Sequence, residues 1–161
     1  MCSDMDNLTR IASFSVNHDF ITEGIYVSRI DGDVTTYDMR TRVPNNETDD
    51  YMSNLTMHSF EHLFATYVRN SEIGSRVIYF GPMGCQTGFY LLVRNAENTE
   101  TLKVVKSVLG KIIAHEDAVP GATREECGNY KNLDLDSARI EAKRYLDVLN
   151  SKQCDFKYSE A

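Results

Sequence analysis

Two histidines four positions apart enclose the run His58-Ser-Phe-Glu61-His62. On a helix, that spacing projects two imidazoles from one face about a turn apart, within reach of a single metal ion. Glu61 follows His58 by three positions and adjoins His62, so it lies on the same side, where a general base would stand. Arg69 falls two turns beyond His62 on that face and could meet an anionic group. Two imidazoles do not complete a site, and the cysteines at 2, 85, 127 and 154 are the remaining candidates. Cys2 and Cys154 lie in the terminal stretches and are expected to be idle. Cys85 stands in a glycine-bracketed turn, Gly81-Pro-Met-Gly-Cys-Gln-Thr-Gly88, where backbone can approach a ligand closely. Cys127 stands in Arg124-Glu-Glu-Cys-Gly-Asn-Tyr130, with Gly128 directly after the thiol. One thiol on the metal and one free would give a His₂Cys centre with an open fourth position, the build of a catalytic metal site. Spacing alone leaves open which cysteine ligates and which titrates.

The elements that must position these groups can be read from periodicity. A helix is predicted over about 54–70, with Ser53 or Asn54 as its cap and Gly74 just past its end. Ile25–Ile30 and Val34–Arg40 are β-rich runs flanking Asp31-Gly32-Asp33, a strong hairpin signal. Ile11–Val16 alternates as a further strand, after a loose lead-in over residues 1–10. Residues 43–53 form a polar loop to which no role is assigned. Arg76–Phe80 and Gly88–Arg94 read as buried strands around the Cys85 turn. Apolar positions 102, 105, 108, 109, 112 and 113 give a second helix, and Leu135 to Leu149 a closing amphipathic one. His115, near a helix C-terminus, is expected to be structural. The order β-β-β-α-β-β-α-α predicts an α+β fold, a mainly antiparallel sheet packed with three main helices, in a single catalytic domain over 1–161.

Composition removes several function classes. The 161 residues carry 17 Lys+Arg against 24 Asp+Glu, a formal charge of −7, and 42% are apolar. An acidic chain with no long basic run is expected to bind neither nucleic acid nor an anionic membrane. The longest apolar run, Phe89–Val93, is far short of the roughly 20 residues a membrane helix needs. The acidic opening, Met1-Cys-Ser-Asp-Met-Asp-Asn-Leu8, is not a secretory signal, so a cytoplasmic location is expected. No C-x-x-C occurs, which removes zinc ribbons and thioredoxin-type redox pairs.

His58-Ser-Phe-Glu-His62, Gly81-Pro-Met-Gly-Cys-Gln-Thr-Gly-Phe-Tyr90 and Cys127-Gly128 resemble, in order and spacing, the LuxS family of S-ribosylhomocysteine lyases. Ser13-Phe14 with His18, and Tyr37-Asp-Met-Arg40 before Pro44-Asn45, extend the resemblance from about Ile11 to the last helix. The resemblance implies a LuxS/metallohydrolase-like fold and a homodimer with two active sites at its interface. It also implies that Cys127 ligates the metal with His58 and His62, and that Cys85 is a catalytic acid/base alongside Glu61. The metal implied is one divalent ion per subunit, Fe(II), with Zn or Co possible in purified protein. Ser13, Phe14, His18, Arg40, Arg69 and Gly128 match substrate-binding positions, some of them reaching the sugar from the neighbouring subunit. Tyr79-Phe80-Gly81 stands where several family members have Asp-Ile-Ser, whose Asp contacts the homocysteine amino group.

The implied reaction cleaves the thioether of S-ribosyl-L-homocysteine to L-homocysteine and 4,5-dihydroxy-2,3-pentanedione, the autoinducer-2 precursor of quorum sensing. Its logic matches the residue types. The C–S bond at C5 cannot eliminate until a carbonyl stands at C3, so the carbonyl must migrate from C1 to C3 through two enediolates. Each migration needs a Lewis acid and a group that moves protons between neighbouring carbons. Two other readings use the same residues. H-x-x-E-H is also the signature of inverzincin peptidases, which take a carboxylate as third ligand. A non-enzymatic, metal-stabilised interaction module would close the site with both Cys85 and Cys127.

Overall fold

Gly32 turns the chain at a φ of +61° and closes the two-residue hairpin loop between β1 (Gly24–Asp31) and β2 (Val34–Arg40). Only glycine takes that conformation without strain, which is why the Asp-Gly signal is reliable. The computed structural model describes residues 8–159. Beyond the hairpin come α2 (Asn54–Arg69), β3 (Val77–Pro82), β4 (Gly88–Arg94), α3 (Asn98–Ala114) and α4 (Leu135–Asn150), with a short α1 (Ala12–Ser15) before it. The four strands form one antiparallel sheet in the order β1-β2-β4-β3. The α+β architecture with three main helices is as expected.

Alternation along the strands decides the two faces of the sheet. Tyr37, Met39, Phe89, Leu91 and Val93 point into the core and are fully buried. Against them α2 lays Phe60, Leu63, Phe64 and Val68, its apolar stripe at helical spacing. The Phe60 ring stacks on Phe89 at 4.7 Å and the Phe64 ring on Phe80 at 4.4 Å. The helices α3 and α4 pack on α2 and on each other, so the core continues through Val105, Leu109, Ala142, Tyr145 and Leu149. On the opposite face, Tyr79 of β3 and Ile11 before the sheet are exposed apolar groups, and Phe14 and Ile78 are exposed as well.

One expected element is corrected. Ile11–Val16 is not a strand; Ala12–Ser15 forms α1, and a 3₁₀ turn follows at His18–Phe20. Six alternating residues are too few to separate a strand from a turn of helix. Here local bonds decide: the Phe14 N–H and the Ser15 hydroxyl both donate to the Ile11 carbonyl. Part of the outer edge of β1 is also taken, because Phe156 bridges to it at Tyr26. Cys2 and residues 1–7 of the expected lead-in lie outside the described residues. The 43–53 loop is stitched by Asn46, whose amide bonds Val43 O, Asp50 O and Asp50 N. At its root, Arg42 forks onto Glu141 of α4, both nearly buried.

Candidate metal centre and catalytic pocket

Ser53 starts α2 as its N-cap, accepting the Thr56 N–H at 3.1 Å. With Phe60, Leu63 and Phe64 committed to the core, His58, Glu61 and His62 come out half-buried on the helix flank. The two imidazoles stand nearly perpendicular, with ring centroids 4.7 Å apart. Each is oriented by a backbone carbonyl: His58 Nδ1 lies 2.8 Å from Asn132 O, and His62 Nδ1 lies 2.7 Å from Pro120 O. A carbonyl only accepts, so both Nδ1 atoms carry the proton and both Nε2 lone pairs are free to ligate. The carbonyls belong to the segment that carries Cys127, so one loop orients two ligands and supplies the third. Gly121 lets that loop pass close over His62. Its φ is +74°, and a Cβ there would sit 3.1 Å from His62 Nδ1.

Cys127 Sγ lies 3.4 Å from His58 Nε2 and accepts the Asn129 N–H at 3.4 Å. Donor atoms of His58, His62 and Cys127 all fall within 4.8 Å of one another, and this is the one such group of three or more among the described residues. Two imidazole nitrogens and a thiolate suit a single divalent ion at bonds of about 2.0–2.3 Å. The geometry thus separates the two thiols that spacing could not: Cys127 joins the histidines and Cys85 does not. Glu61 lines an open cleft of about 250 Å³ with His58, Pro82 and Asn129. Gly128 is exposed, and a side chain at that position would meet nothing.

Cys85 is exposed at the tip of the β3–β4 turn, where Gln86 adopts a φ of +65°. Its Sγ lies 3.0 Å from Thr87 Oγ1. Arg40 Nη1 donates to the same Thr87 oxygen at 2.8 Å and stands 4.0 Å from the sulfur. Strands β2 and β4 run close together here: Gly88 pairs with Arg40, and a Cβ on Gly88 would overlap the Met39 carbonyl. The other edge of the guanidinium grips Asp38, Nε to Oδ1 at 3.1 Å and Nη2 to Oδ2 at 2.7 Å. Burial works against the Arg40 charge, but the Asp38 bonds and charge outweigh it and hold the guanidinium above its ordinary range.

Ser13, His18 and Arg40 meet in one small cavity together with Asp38, Tyr90 and Tyr158. Phe14 and Arg69 line neither this cavity nor the Glu61 cleft. Phe14 is exposed, and Arg69 donates to the β3 carbonyls of Val77 and Ile78. Tyr79 lies on the open sheet face, in an apolar hollow of about 390 Å³ shared with Tyr90 and Leu92. His115 is tied to Tyr67 Oη at 2.6 Å and to Ala118 O at 3.0 Å, a structural role. Cys154 is half-buried against the core, and burial pushes its thiol up, away from reactivity. Sequence reasoning quoted Asp38 and Thr87 within its motifs but gave them no role, and it did not single out Tyr158. Asp38 carried a usable signal, because it shares a strand face with Arg40 at two-residue spacing.

Three ligands leave a position open on a four-coordinate ion, and a second thiol waits outside the cluster beside a buried arginine; that is the build of a metal-dependent enzyme. Comparison with known proteins narrows the class. Residues 11–155 match the family described as S-ribosylhomocysteinase (LuxS), and the chain belongs to that family. It is 39% identical over 158 residues to an S-ribosylhomocysteine lyase of Borreliella afzelii (strain PKo), covering 94% of this chain and 99% of that protein. An S-ribosylhomocysteine lyase of Finegoldia magna is 40% identical over 149 residues, covering 89% of this chain and 94% of that protein. One of Clostridium acetobutylicum is 39% identical over 150 residues, with the same coverage.

Proposed function

We infer that this protein is a carbon–sulfur lyase that cleaves S-ribosyl-L-homocysteine to L-homocysteine and 4,5-dihydroxy-2,3-pentanedione. The observation that carries this reading is the division of the thiols: Cys127 grouped with His58 and His62, Cys85 held apart at Thr87 and Arg40. A closed four-ligand module would need Cys85 in the cluster, and a peptidase of the H-x-x-E-H type would need a carboxylate there. Neither is present among the grouped ligands.

His58, His62 and Cys127 would hold one divalent ion, for which Fe(II) is our assignment. When bound, that ion supplies Lewis acidity for the two carbonyl shifts. Cys85 as thiolate takes the C2 proton and returns it at C1, then takes the C3 proton and returns it at C2. The carbonyl thereby moves from C1 to C3. Glu61 handles the oxygen-bound protons and the elimination: the C4 proton leaves, a C4=C5 double bond conjugated with the C3 carbonyl forms, and the C5–S bond breaks. The departing sulfur takes a proton to give homocysteine, and the C4 enol ketonises by losing its hydroxyl proton and gaining one at C5 to give the dione. Arg40 supplies fixed positive charge at the thiol, where anionic character is needed. Ser13, His18 and Arg40 cluster together, but the cavity between them, about 10 Å³, has room for no more than a water, so their assignment to the sugar rests on the family resemblance.

The protein assembles as a two-fold homodimer with its active sites at the interface in this proposal. The exposed apolar residues Ile11 and Tyr79, which share one hollow on the open sheet face, support such a contact. No helix among the described residues is long and apolar enough to cross a membrane. Free thiols at Cys85, Cys127 and Cys154 support a reducing, cytoplasmic compartment. The test is incubation of anaerobically iron-loaded protein with S-ribosylhomocysteine, reading free thiol release. A loaded protein that releases none would overturn the assignment.

A further inference from the structure

Asp38 and Arg40 form an ion pair on the sheet face that the main helices leave uncovered. Strand alternation puts Thr36, Asp38 and Arg40 on that face, yet the two charged residues are only 1% and 2% exposed. Part of their cover comes from the far end of the chain. The family match stops at residue 155, and directly beyond it the backbone returns to the edge of β1. The Val27 N–H donates to Phe156 O at 2.8 Å, and the Phe156 ring meets Tyr37 edge-on at 6.2 Å. Two residues on, the Tyr158 ring stacks on Tyr26 at 4.9 Å. These contacts aim the phenol inward, and its hydroxyl donates to Asp38 Oδ2 at 2.7 Å.

We propose that Tyr158 is a positioning residue for the reaction: through Asp38, its hydroxyl sets the Arg40 guanidinium against Thr87 and Cys85. The inference rests on the reading of Cys85 as the proton-transferring thiol. The terminal torsion of an aspartate is broad, with no sharp well of its own to fix the carboxylate plane. A bidentate arginine follows that plane, because both of its bonds are made to the two oxygens. A third donor from outside the fork fixes the carboxylate, and the fork passes the constraint to Nη1, which bonds Thr87 and faces the sulfur. Burial and the Asp38 charge push the Tyr158 phenol far above its usual range, so it remains a donor to that oxygen. Tyr158 also lines the small cavity that holds Ser13 and His18, so the phenol adjoins the groups assigned to the sugar. Reacting groups tolerate little displacement, and misplacement by about 1 Å can cost on the order of a hundredfold in rate.

Tyr158→Phe keeps the ring and its stacking and removes only the hydroxyl. In the iron-loaded full chain we expect kcat to fall by about three- to tenfold, the size of one ordinary net hydrogen bond, because the phenol acts on the reacting thiol only through Asp38 and Arg40. KM should move less than about twofold with metal content unchanged, and the lost bond to buried Asp38 should lower the thermal midpoint by only about 2–4 °C, leaving the protein fully folded at assay temperature. On an Arg40→Lys background, which lacks the fork, the same change should cost nothing further. Wild-type kcat in Tyr158→Phe would overturn the proposal. So would a loss of equal size in both backgrounds, because the phenol would then act on the fold and not through Arg40. Cys85→Ala, assayed in parallel, separates the two levels. If it turns over normally, the reading of Cys85 falls and takes this proposal with it. If it is inert while Tyr158→Phe is fully active, only the positioning role falls.

Discussion

Ser59 and Asp134 are joined by a hydrogen bond that closes the metal centre from behind: the Ser59 hydroxyl accepts the Asp134 N–H at 2.7 Å. The same hydroxyl donates to Leu55 O one turn back on α2, and the residue is fully buried. Ser59 sits between His58 and Phe60, so the bond ties the helix of the histidines to the end of the loop that brings Cys127. Ser59→Ala strands a backbone donor and should cost about 1–3 kcal/mol. We expect a lower urea midpoint with an unchanged m-value, and a weaker hold on the metal although no ligand is touched. Unaltered metal affinity would show that the loop keeps its place without this tie.

Replacing each thiol in turn separates their roles. Cys127→Ala should lose the metal, whereas Cys85→Ala should retain it in full and fail to release homocysteine. Metal analysis of the two purified variants, beside a thiol-release assay, decides the matter. If Cys85→Ala were the one to lose metal, the assignments would be exchanged.

Glu61→Gln preserves shape and hydrogen bonding and removes the base. Metal content and thermal stability should stay at the wild-type level while turnover stops. A rate within about threefold of wild type, under 1 kcal/mol of barrier, would show that Glu61 transfers no proton in the slow step.

Site sharing between subunits is testable by mixing variants lesioned in the two halves of the machinery. His18 belongs with Arg40, and Glu61 with the metal cluster. If each active site combines one half from either subunit, a His18→Ala/Glu61→Gln heterodimer has one doubly damaged site and one intact. Random exchange should then restore up to about a quarter of wild-type activity, since half the dimers are mixed and each has one working site of two. Exchange confirmed by mass with no recovery would place both halves in one subunit.

Local chemistry made much of this legible in advance. The hairpin at Gly32, the cap at Ser53 and the periodicities of α2 and α4 are short-range signals, and each element lies where its signal put it. The i,i+4 histidines likewise needed nothing beyond a helix. What stayed hidden depends on approach between distant segments. Arg42 and Glu141 are 99 positions apart, Asp38 and Tyr158 are 120 apart, and no periodicity links either pair. Spacing could not divide Cys85 from Cys127 either, since both sit in glycine turns; the family resemblance assigned them, and the folded loop brings Cys127 to the histidines. Ile11–Val16 failed for the opposite reason. Its alternation is local, but a strand also needs a neighbour, and β1 pairs with β2 on one side and Phe156 on the other.

The carbonyls that orient His58 and His62 carry a consequence for how this site tolerates change. Any amino acid at 120 or 132 still presents a carbonyl, so a side-chain substitution there leaves both acceptors in place and is blind to them; what it would read at 132 is the separate side-chain bond to Asn54 Oδ1 at 2.6 Å. Length is a different matter. Adding or removing one residue slides the backbone by up to about 3.3–3.6 Å, more than the few tenths of an ångström over which these bonds hold. Away from Gly121, Cys127 and Asn132 the letters of this loop can therefore change while its count must hold, and a single-residue insertion between His115 and Asn132 is the lesion that would expose the dependence.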